Sequence, residues 1–310
     1  MNDCINSSTN EFHISSVFSS AIANLVIFIA LLFVYVITIS GNLTITTLIC
    51  AVPQLHSPMY FFLFNLSIVD VMYVSATIPK LLSISLVKDK TIYFHSCIIQ
   101  LYIFLVSANL EIYILTSMAF DRYVAICKPL QYSVIMTNRL CVILSASSWT
   151  LGTLNSILET VLTLKLQFCH SHDINHFFCD LKTLMALSTT DTSSWEILNF
   201  AEDAVFASLP FLLTILSYVF IISTILKIRS PGRRHKVFSS CSSHLTTVVL
   251  FYAPMLSLYT TPDSAYSKDI DKLLSLIYMV VVPMLNPFVY TLRNQDFLKA
   301  FRKLTNINKM

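Results

Sequence analysis

The sequence predicts an all-α membrane protein: a seven-transmembrane helix bundle followed by a short cytoplasmic amphipathic helix. Two observations carry this. The 310-residue chain is 55% apolar and only 12% charged, whereas about a quarter of the residues in ordinary soluble domains are charged. The charges also cluster. Between Glu11 and Lys80 the only formal charge is Asp70, and residues 140–158, 204–226, 237–262 and 273–292 carry none. An uncharged run of about 20 residues is the length a helix needs to cross the hydrocarbon layer. Repeated long runs separated by polar loops read as spans, not as buried strands.

The spans fall at 23–50, 58–86, 94–127, 139–164, 196–228, 235–260 and 270–292. From Asn294 to about Leu304, Phe297, Leu298, Phe301 and Leu304 recur at helical spacing, which predicts a helix lying on the membrane surface. There is no internal repeat, linker or low-complexity segment, so the chain is one domain: an extracellular tail (1–22), one seven-helix bundle (23–292) and a cytoplasmic tail (293–310).

Positive residues set the expected orientation. With the amino terminus outside, Arg122, Lys128, Arg139, Lys227, Arg229, Arg233, Arg234, Lys236, Arg293, Lys299, Arg302, Lys303 and Lys309 face the cytoplasm. Lys80, Lys88, Lys90, Lys165, Lys182, Lys268 and Lys272 lie on the outer half, a division of 13 against 7. The plasma membrane is the expected location. The first twenty residues lack Lys, Arg and a continuous apolar core, so no cleavable signal peptide is expected. Asn6-Ser7-Ser8 is a glycosylation sequon in the expected outer tail; Asn42-Leu43-Thr44 and Asn65-Leu66-Ser67 match the pattern inside spans and are discounted. The net charge of +3 is accounted for by the inner membrane face and calls for no nucleic-acid partner. Of eight cysteines, Cys4, Cys97, Cys169 and Cys179 face the oxidising side. A Cys97–Cys179 bridge would pin the long outer loop over the bundle; the alternative is isolated thiols.

Ionisable groups inside spans are costly unless they serve a purpose or find a partner. The third span carries Glu111, Asp121 and Arg122. Eleven residues at 100° each return Arg122 to within about 20° of the Glu111 face. Asn42, Asp70 and Asn286 are expected to meet Glu111 at mid-membrane. Two buried carboxylates do not ionise together without a cation or a shared proton, so a sodium ion at Asp70 and Glu111, or a water network, is the expected filler. The alternative is that these polar groups only glue helices together.

Ordered motifs narrow the reading. Asp121-Arg122-Tyr123 and Asn286-Pro287-Phe288-Val289-Tyr290 resemble the two signatures of rhodopsin-like G-protein-coupled receptors. Pro58-Met59-Tyr60-Phe61-Phe62-Leu63, Met118 to Cys127, Ser217-Tyr218, Lys236 to Leu245 and Pro283-Met284-Leu285-Asn286-Pro287 resemble the olfactory receptor family, at the expected spacing from Gly41 to Asn294. Phe120 and Val237 are mild departures. Thr189 stands where that family has a further cysteine, so Cys169 is either free or joined to Cys4. No cysteine follows Cys241, so the tail cannot be palmitoylated.

The resemblance implies an odorant receptor that activates a stimulatory heterotrimeric G protein and raises cyclic AMP. Phe104 and Arg122 are 18 residues apart, about 27 Å of helix, so ligand and partner cannot touch and the signal must be a population shift. Arg122 is expected to be held by Asp121 and then released toward Tyr218 and Tyr290. Pro210, Pro254, Pro283 and Pro287 supply bends. No acid occurs between Asp203 and Asp263, so no carboxylate at the base of the sixth span can lock Arg122. The pocket is expected among Phe104, Leu105, Ala108, Asn109, Glu202, Phe206, Tyr252, Met255, Tyr259 and Met279, mostly apolar and suited to a small molecule. Glu202 either pairs with Lys165 or Lys182 or anchors an amine ligand.

Other classes fit less well. A retinal receptor needs a lysine in the seventh span, and 273–292 has none; a monoamine receptor needs an aspartate where Phe104 stands. Enzyme chemistry finds no His-Glu-x-x-His motif and only Gly41, Gly152 and Gly232 for a glycine-flanked nucleophile. A transporter would show paired halves with broken, glycine-rich helices. A non-olfactory chemosensory receptor is the nearest alternative.

Overall fold

The structure, a computed structural model, describes residues 11–14, 21–87, 89–169, 172–260, 276, 279–290 and 297–301. Its helices are α1 (Ala21–Ala51), α2 (Pro58–Val87), α3 (Phe94–Cys127), the single turn α4 (Tyr132–Ile135), α5 (Asn138–Thr163), the short α6 (Leu181–Leu187), α7 (Ser193–Phe206), α8 (Ser208–Leu226), α9 (Pro231–Thr260) and α10 (Met279–Tyr290). Among the described residues five stretches are long and apolar enough to cross a membrane: Ile22–Ala51, Pro58–Val87, Phe94–Cys127, Asn138–Thr163 and Ser193–Leu226. They pack as a helical bundle with α3 at its centre, against α2, α5, α8 and α9. Residues 297–301, the described part of the expected tail helix, are helical, with Phe297 and Ala300 buried and Phe301 exposed.

The apolar residues divide by surroundings. α1 shows lipid a nearly continuous face (Ile22, Val26, Ile29, Phe33, Val36), whereas α3 buries Leu101, Leu110, Ile114, Leu115 and Ala119 completely. With no water to bond at this depth, hydroxyls turn back on their own helix: Thr38, Thr77, Ser85 and Ser107 each donate to the carbonyl four residues earlier.

The fifth span, expected as one helix over 196–228, is broken at Ala207 into α7 and α8. Pro210 has no N–H to give the Phe206 carbonyl, so the ladder fails one turn before the proline. Across the break Thr116 of α3 donates to the Pro210 carbonyl (3.3 Å) and meets the Thr214 hydroxyl (3.2 Å). A second node joins α2 to α5: Asn65 Oδ1 accepts from Ser145 Oγ (2.9 Å) and Trp149 Nε1 (3.0 Å).

The end of the bundle carrying Cys97, outer in the expected orientation, also has a small sheet. The strands are β1 (Glu11–Ile14), β2 (Thr91–Tyr93) and β3 (Asp173–Ile174), in order β2-β1-β3. β1 runs antiparallel to β2, with Glu11 opposite Tyr93 and His13 opposite Thr91, and parallel to β3, with Ile14 opposite Ile174. Phe12 and Ile14 point into the core, and Phe12 meets Phe168 edge-on at 5.2 Å. Beside the sheet, Asp89 accepts from Thr91 Oγ1 (2.8 Å) and Lys80 Nζ (3.1 Å). The Thr91 hydroxyl, the Lys80 ammonium and the Thr91 N–H hold its carboxyl down at about 2.

Gly41 sets the approach of α1 to α10. A Cβ at Gly41 would lie 3.0 Å from Pro287 Cβ and 3.1 Å from its Cγ. Gly41→Val is therefore expected to cost about 1–3 kcal/mol through overpacking. A lower melting temperature of the purified protein checks this, and an unchanged one would contradict the close contact.

Candidate functional site

Three groups of polar or aromatic residues lie along the central helix. At mid-height α2, α3 and α10 bring together Asp70, Glu111 and Asn286, all buried. Asn286 Nδ2 donates to both carboxylate oxygens of Asp70, each at 3.1 Å, and also reaches Glu111. Asn42 of α1 donates to the Pro283 carbonyl (3.4 Å), one turn before Asn286. Oxygens remain over: Asn42 Oδ1, Ser67 Oγ and Glu111 Oε1 are buried without a hydrogen-bond partner among the described residues. Two carboxylates with neighbouring amide and hydroxyl oxygens are a hard, all-oxygen donor set, which fits a sodium ion or bound water rather than a soft metal. Asp70 and Asn286 are bonded directly beside Glu111, whereas Asn42 ties α1 to α10 through the Pro283 carbonyl and is bonded to none of the three.

At the Asp-Arg-Tyr end, Asp121 is fully buried and Arg122 half-buried. Arg122 donates through Nε (2.9 Å) and Nη2 to Asp121 Oδ2. The other oxygen of Asp121 accepts from the Tyr132 hydroxyl of α4 at 2.7 Å. Burial, then the charge of Asp121, push the Tyr132 hydroxyl up, so it stays protonated and donating. Tyr132 is not legible as a site residue in the sequence, because nothing in its spacing says that the loop folds back onto Asp121.

Among the described residues Tyr218 is not hydrogen-bonded to Arg122. Its hydroxyl bonds His244 Nδ1 at 2.7 Å, and His244 Nε2 bonds the Leu115 carbonyl at 3.1 Å. Through these two bonds one imidazole ties α3, α8 and α9 together. Tyr290 is buried, with the Thr247 hydroxyl as its polar neighbour. Tyr123 faces Phe220 at 5.9 Å between ring centroids.

Toward the disulfide end, Cys97 and Cys179 are bonded, with Cα atoms 5.5 Å apart. Gln100 holds the loop from beneath: its Oε1 accepts from Cys179 N (3.0 Å) while Nε2 donates to the Ala76 carbonyl (2.9 Å). Phe178 is thereby set against Phe104, 4.9 Å between centroids, and Phe104 against Tyr73 at 5.3 Å. Ala108 and Met279 pack in the same cluster.

The other expected pocket residues scatter. Leu105 packs toward the disulfide cluster, and Asn109 turns to α5, donating to Ser156 Oγ at 3.2 Å. Tyr252 lies deeper, 4.6 Å from Phe211 between centroids. Glu202 of α7 is 8% exposed, one turn above half-buried Phe206. Its expected partners Lys165 and Lys182 are both exposed. The Met255 and Tyr259 side chains, Asn6 and Cys4 lie outside the described residues. Cys169 is disulfide-bonded, which removes the free-thiol alternative.

Comparison with known proteins adds independent findings. The family described as Olfactory receptor matches residues 31–306. Olfactory receptor 1G1 of Gorilla gorilla gorilla is 45% identical over 278 residues, covering 90% of this chain and 89% of the relative. Olfactory receptor 5AR1 of Mus musculus is 44% identical, covering 90% of each chain. Olfactory receptor 8D1 of Homo sapiens is 43% identical over 95% of this chain and 96% of the relative.

Proposed function

Since this chain belongs to the olfactory receptor family, we propose that it binds a small, mostly apolar odorant in the outer half of the bundle and activates a stimulatory heterotrimeric G protein, raising cyclic AMP. It is a multi-pass membrane receptor and not an enzyme. The observation that carries the coupling half of the proposal is the Arg122–Asp121–Tyr132 group at one end of α3, about 27 Å along the helix from Phe104. The amino terminus lies outside and the tail inside, because that orientation puts 13 of the 20 Lys and Arg residues on the cytoplasmic face.

The odorant sits beneath Phe178, among Phe104, Ala108 and Met279, with Leu105, Asn109, Phe206, Tyr252, Met255 and Tyr259 completing the wall as helices shift. Its contacts favour one packing of the bundle over another. In the resting packing Asp121 holds Arg122, and His244 holds Tyr218. Exchange of these bonds frees Arg122 to meet Tyr218 and Tyr290 and opens the basic inner face to the G protein. Tyr123 and Asn286-Pro287 pack the moving elements at this end. Asn42, Asp70, Glu111 and Asn286 would hold a sodium ion, which offsets the repulsion of two buried carboxylates. Asn6 carries the glycan, and the inner basic residues also meet anionic lipid.

A ligand-panel screen with a cyclic-AMP reporter, in cells expressing the chain, tests the function. Odorants that raise cyclic AMP only in expressing cells are the expected result; a panel-wide silence from surface-delivered receptor counts against it. Within that screen Glu202 discriminates ligand class. Glu202 either pairs within the protein or anchors a cationic ligand; in the second case Glu202→Gln should weaken a small amine agonist at least tenfold, about 1.4 kcal/mol, and spare neutral ones. If only neutral odorants activate, with potency unchanged in Glu202→Gln, Glu202 is not an amine anchor.

A further inference from the structure

A cleft of about 430 Å³ lies far from the odorant region, where the ends of α1, α2 and α5 meet. Half-buried Phe61 and Phe64 of α2 form its floor, Cys50 of α1 and Val142 of α5 its exposed walls, and Asn138 its end. α1 and α5 both lean on α2, and exposed Cys50 and Val142 put the rim of the cleft on the outer surface of the bundle. Its polar groups gather at the loop end, so an occupant would be apolar along most of its length and polar at one tip.

The charge at that tip selects the occupant. α5 begins at Asn138, and the Thr137 side chain satisfies only the Leu140 N–H, at 3.2 Å. The first backbone N–H groups of the helix have no intrahelical acceptor and present the positive end of its dipole. Exposed Arg139, next to Asn138 though outside the cleft lining, adds a full charge in the same turn. A phosphate suits such a position, and the cytoplasmic leaflet is rich in anionic lipid. A sterol would fill the apolar part but leave this end unmatched.

We propose that the cleft binds one anionic glycerophospholipid of the cytoplasmic leaflet, with an acyl chain on Phe61, Phe64 and Val142 and the phosphate at Asn138 and Arg139. The inference rests on the orientation proposed above. Its reporter is Cys50, a free and exposed thiol on the cleft wall.

The test uses full-length receptor in nanodiscs of phosphatidylcholine, with or without phosphatidylserine, and reads two quantities. One is the alkylation rate of Cys50 by a water-soluble maleimide, followed by peptide mass mapping; the other is phosphatidylserine retained in native mass spectrometry. Phosphatidylserine should slow Cys50 alkylation at least threefold in the wild type and leave one retained lipid. Arg139→Gln should remove the difference between the two lipids. Val142→Trp, a change at a lipid-facing position, should fill the cleft and abolish retention. Equal alkylation in both lipids, wild-type retention by Val142→Trp, or preferential retention of added cholesterol would each overturn the proposal. A membrane-impermeant maleimide on intact cells separates the two readings. Labelling of Cys50 without permeabilisation would reverse the orientation, whereas labelling only after permeabilisation, but indifferent to phosphatidylserine, would overturn the lipid site alone.

Discussion

Arg122→Ala is expected to deliver folded receptor to the cell surface and to abolish the cyclic-AMP response to an agonist that drives the wild type. Arg122 is only half-buried, and its bonds go to the neighbouring Asp121, so its loss cuts no tie between distant helices. The cost falls on Asp121, a fully buried carboxylate left with Tyr132 as its remaining side-chain donor. Stranding a buried charge costs about 3–5 kcal/mol when no donor remains; with one strong donor retained the loss is smaller. Response per surface receptor is therefore the quantity to measure, with surface amount read in parallel by an antibody to an extracellular tag. A wild-type response per receptor would sink the role given to Arg122. Tyr132→Phe makes the complementary case. It removes one hold on Asp121 without touching Arg122, so it should raise ligand-free signalling and leave the maximal response intact.

The legibility of the bundle in the sequence depended on how much of each signal was local. The third span is legible at 94–127, the bounds α3 has, because charged or polar residues frame an apolar stripe that keeps helical period. The break at Ala207 is not legible in the sequence, although Pro210 marks a bend. A proline says that a ladder fails, whereas the choice between a kink and a gap is made by the helices packed around it. The sheet was invisible because strands of four, three and two residues are too short for a period-two pattern.

The site divided in the same way. Asp70, Glu111 and Asn286 were predictable as a group, since isolated buried charges are expensive enough to demand company. Arg122 against Asp121 follows from adjacency. Neither Tyr132 nor the pairing of Tyr218 with His244 could be read so, because a hydroxyl or an imidazole in an apolar span announces a need for a partner without saying which one. The odorant wall is the least legible part. Phe104, Ala108 and Met279 gather, while Asn109 and Leu105 turn elsewhere. Aromatic and amide side chains on a central helix have several neighbours to choose from, and their spacing does not choose.

Cys179→Ser, or Cys97→Ser, should have the largest effect of all: loss of surface delivery. The two cysteines are 82 residues apart in sequence, and closing a loop of that length is worth on the order of 4 kcal/mol in the chain-entropy account. Helices already held by the membrane reduce that figure, but local consequences add to it. Cys179 N loses its fixed position over Gln100 Oε1, and Phe178 its seat on Phe104. Phe178 is nearly fully buried, so its release exposes a large apolar side chain at the membrane surface and opens the region assigned to the odorant. Flow cytometry of an extracellular tag measures delivery, and non-reducing peptide mapping identifies the bridge directly. Serine variants that reach the surface at wild-type levels, or a map joining Cys97 to Cys169, would refute the pinning role. Gln100→Ala keeps the bridge while removing the amide beneath it. It should therefore deliver receptor to the surface but lower odorant potency, because the covalent tie would remain while Phe178 is no longer held against Phe104.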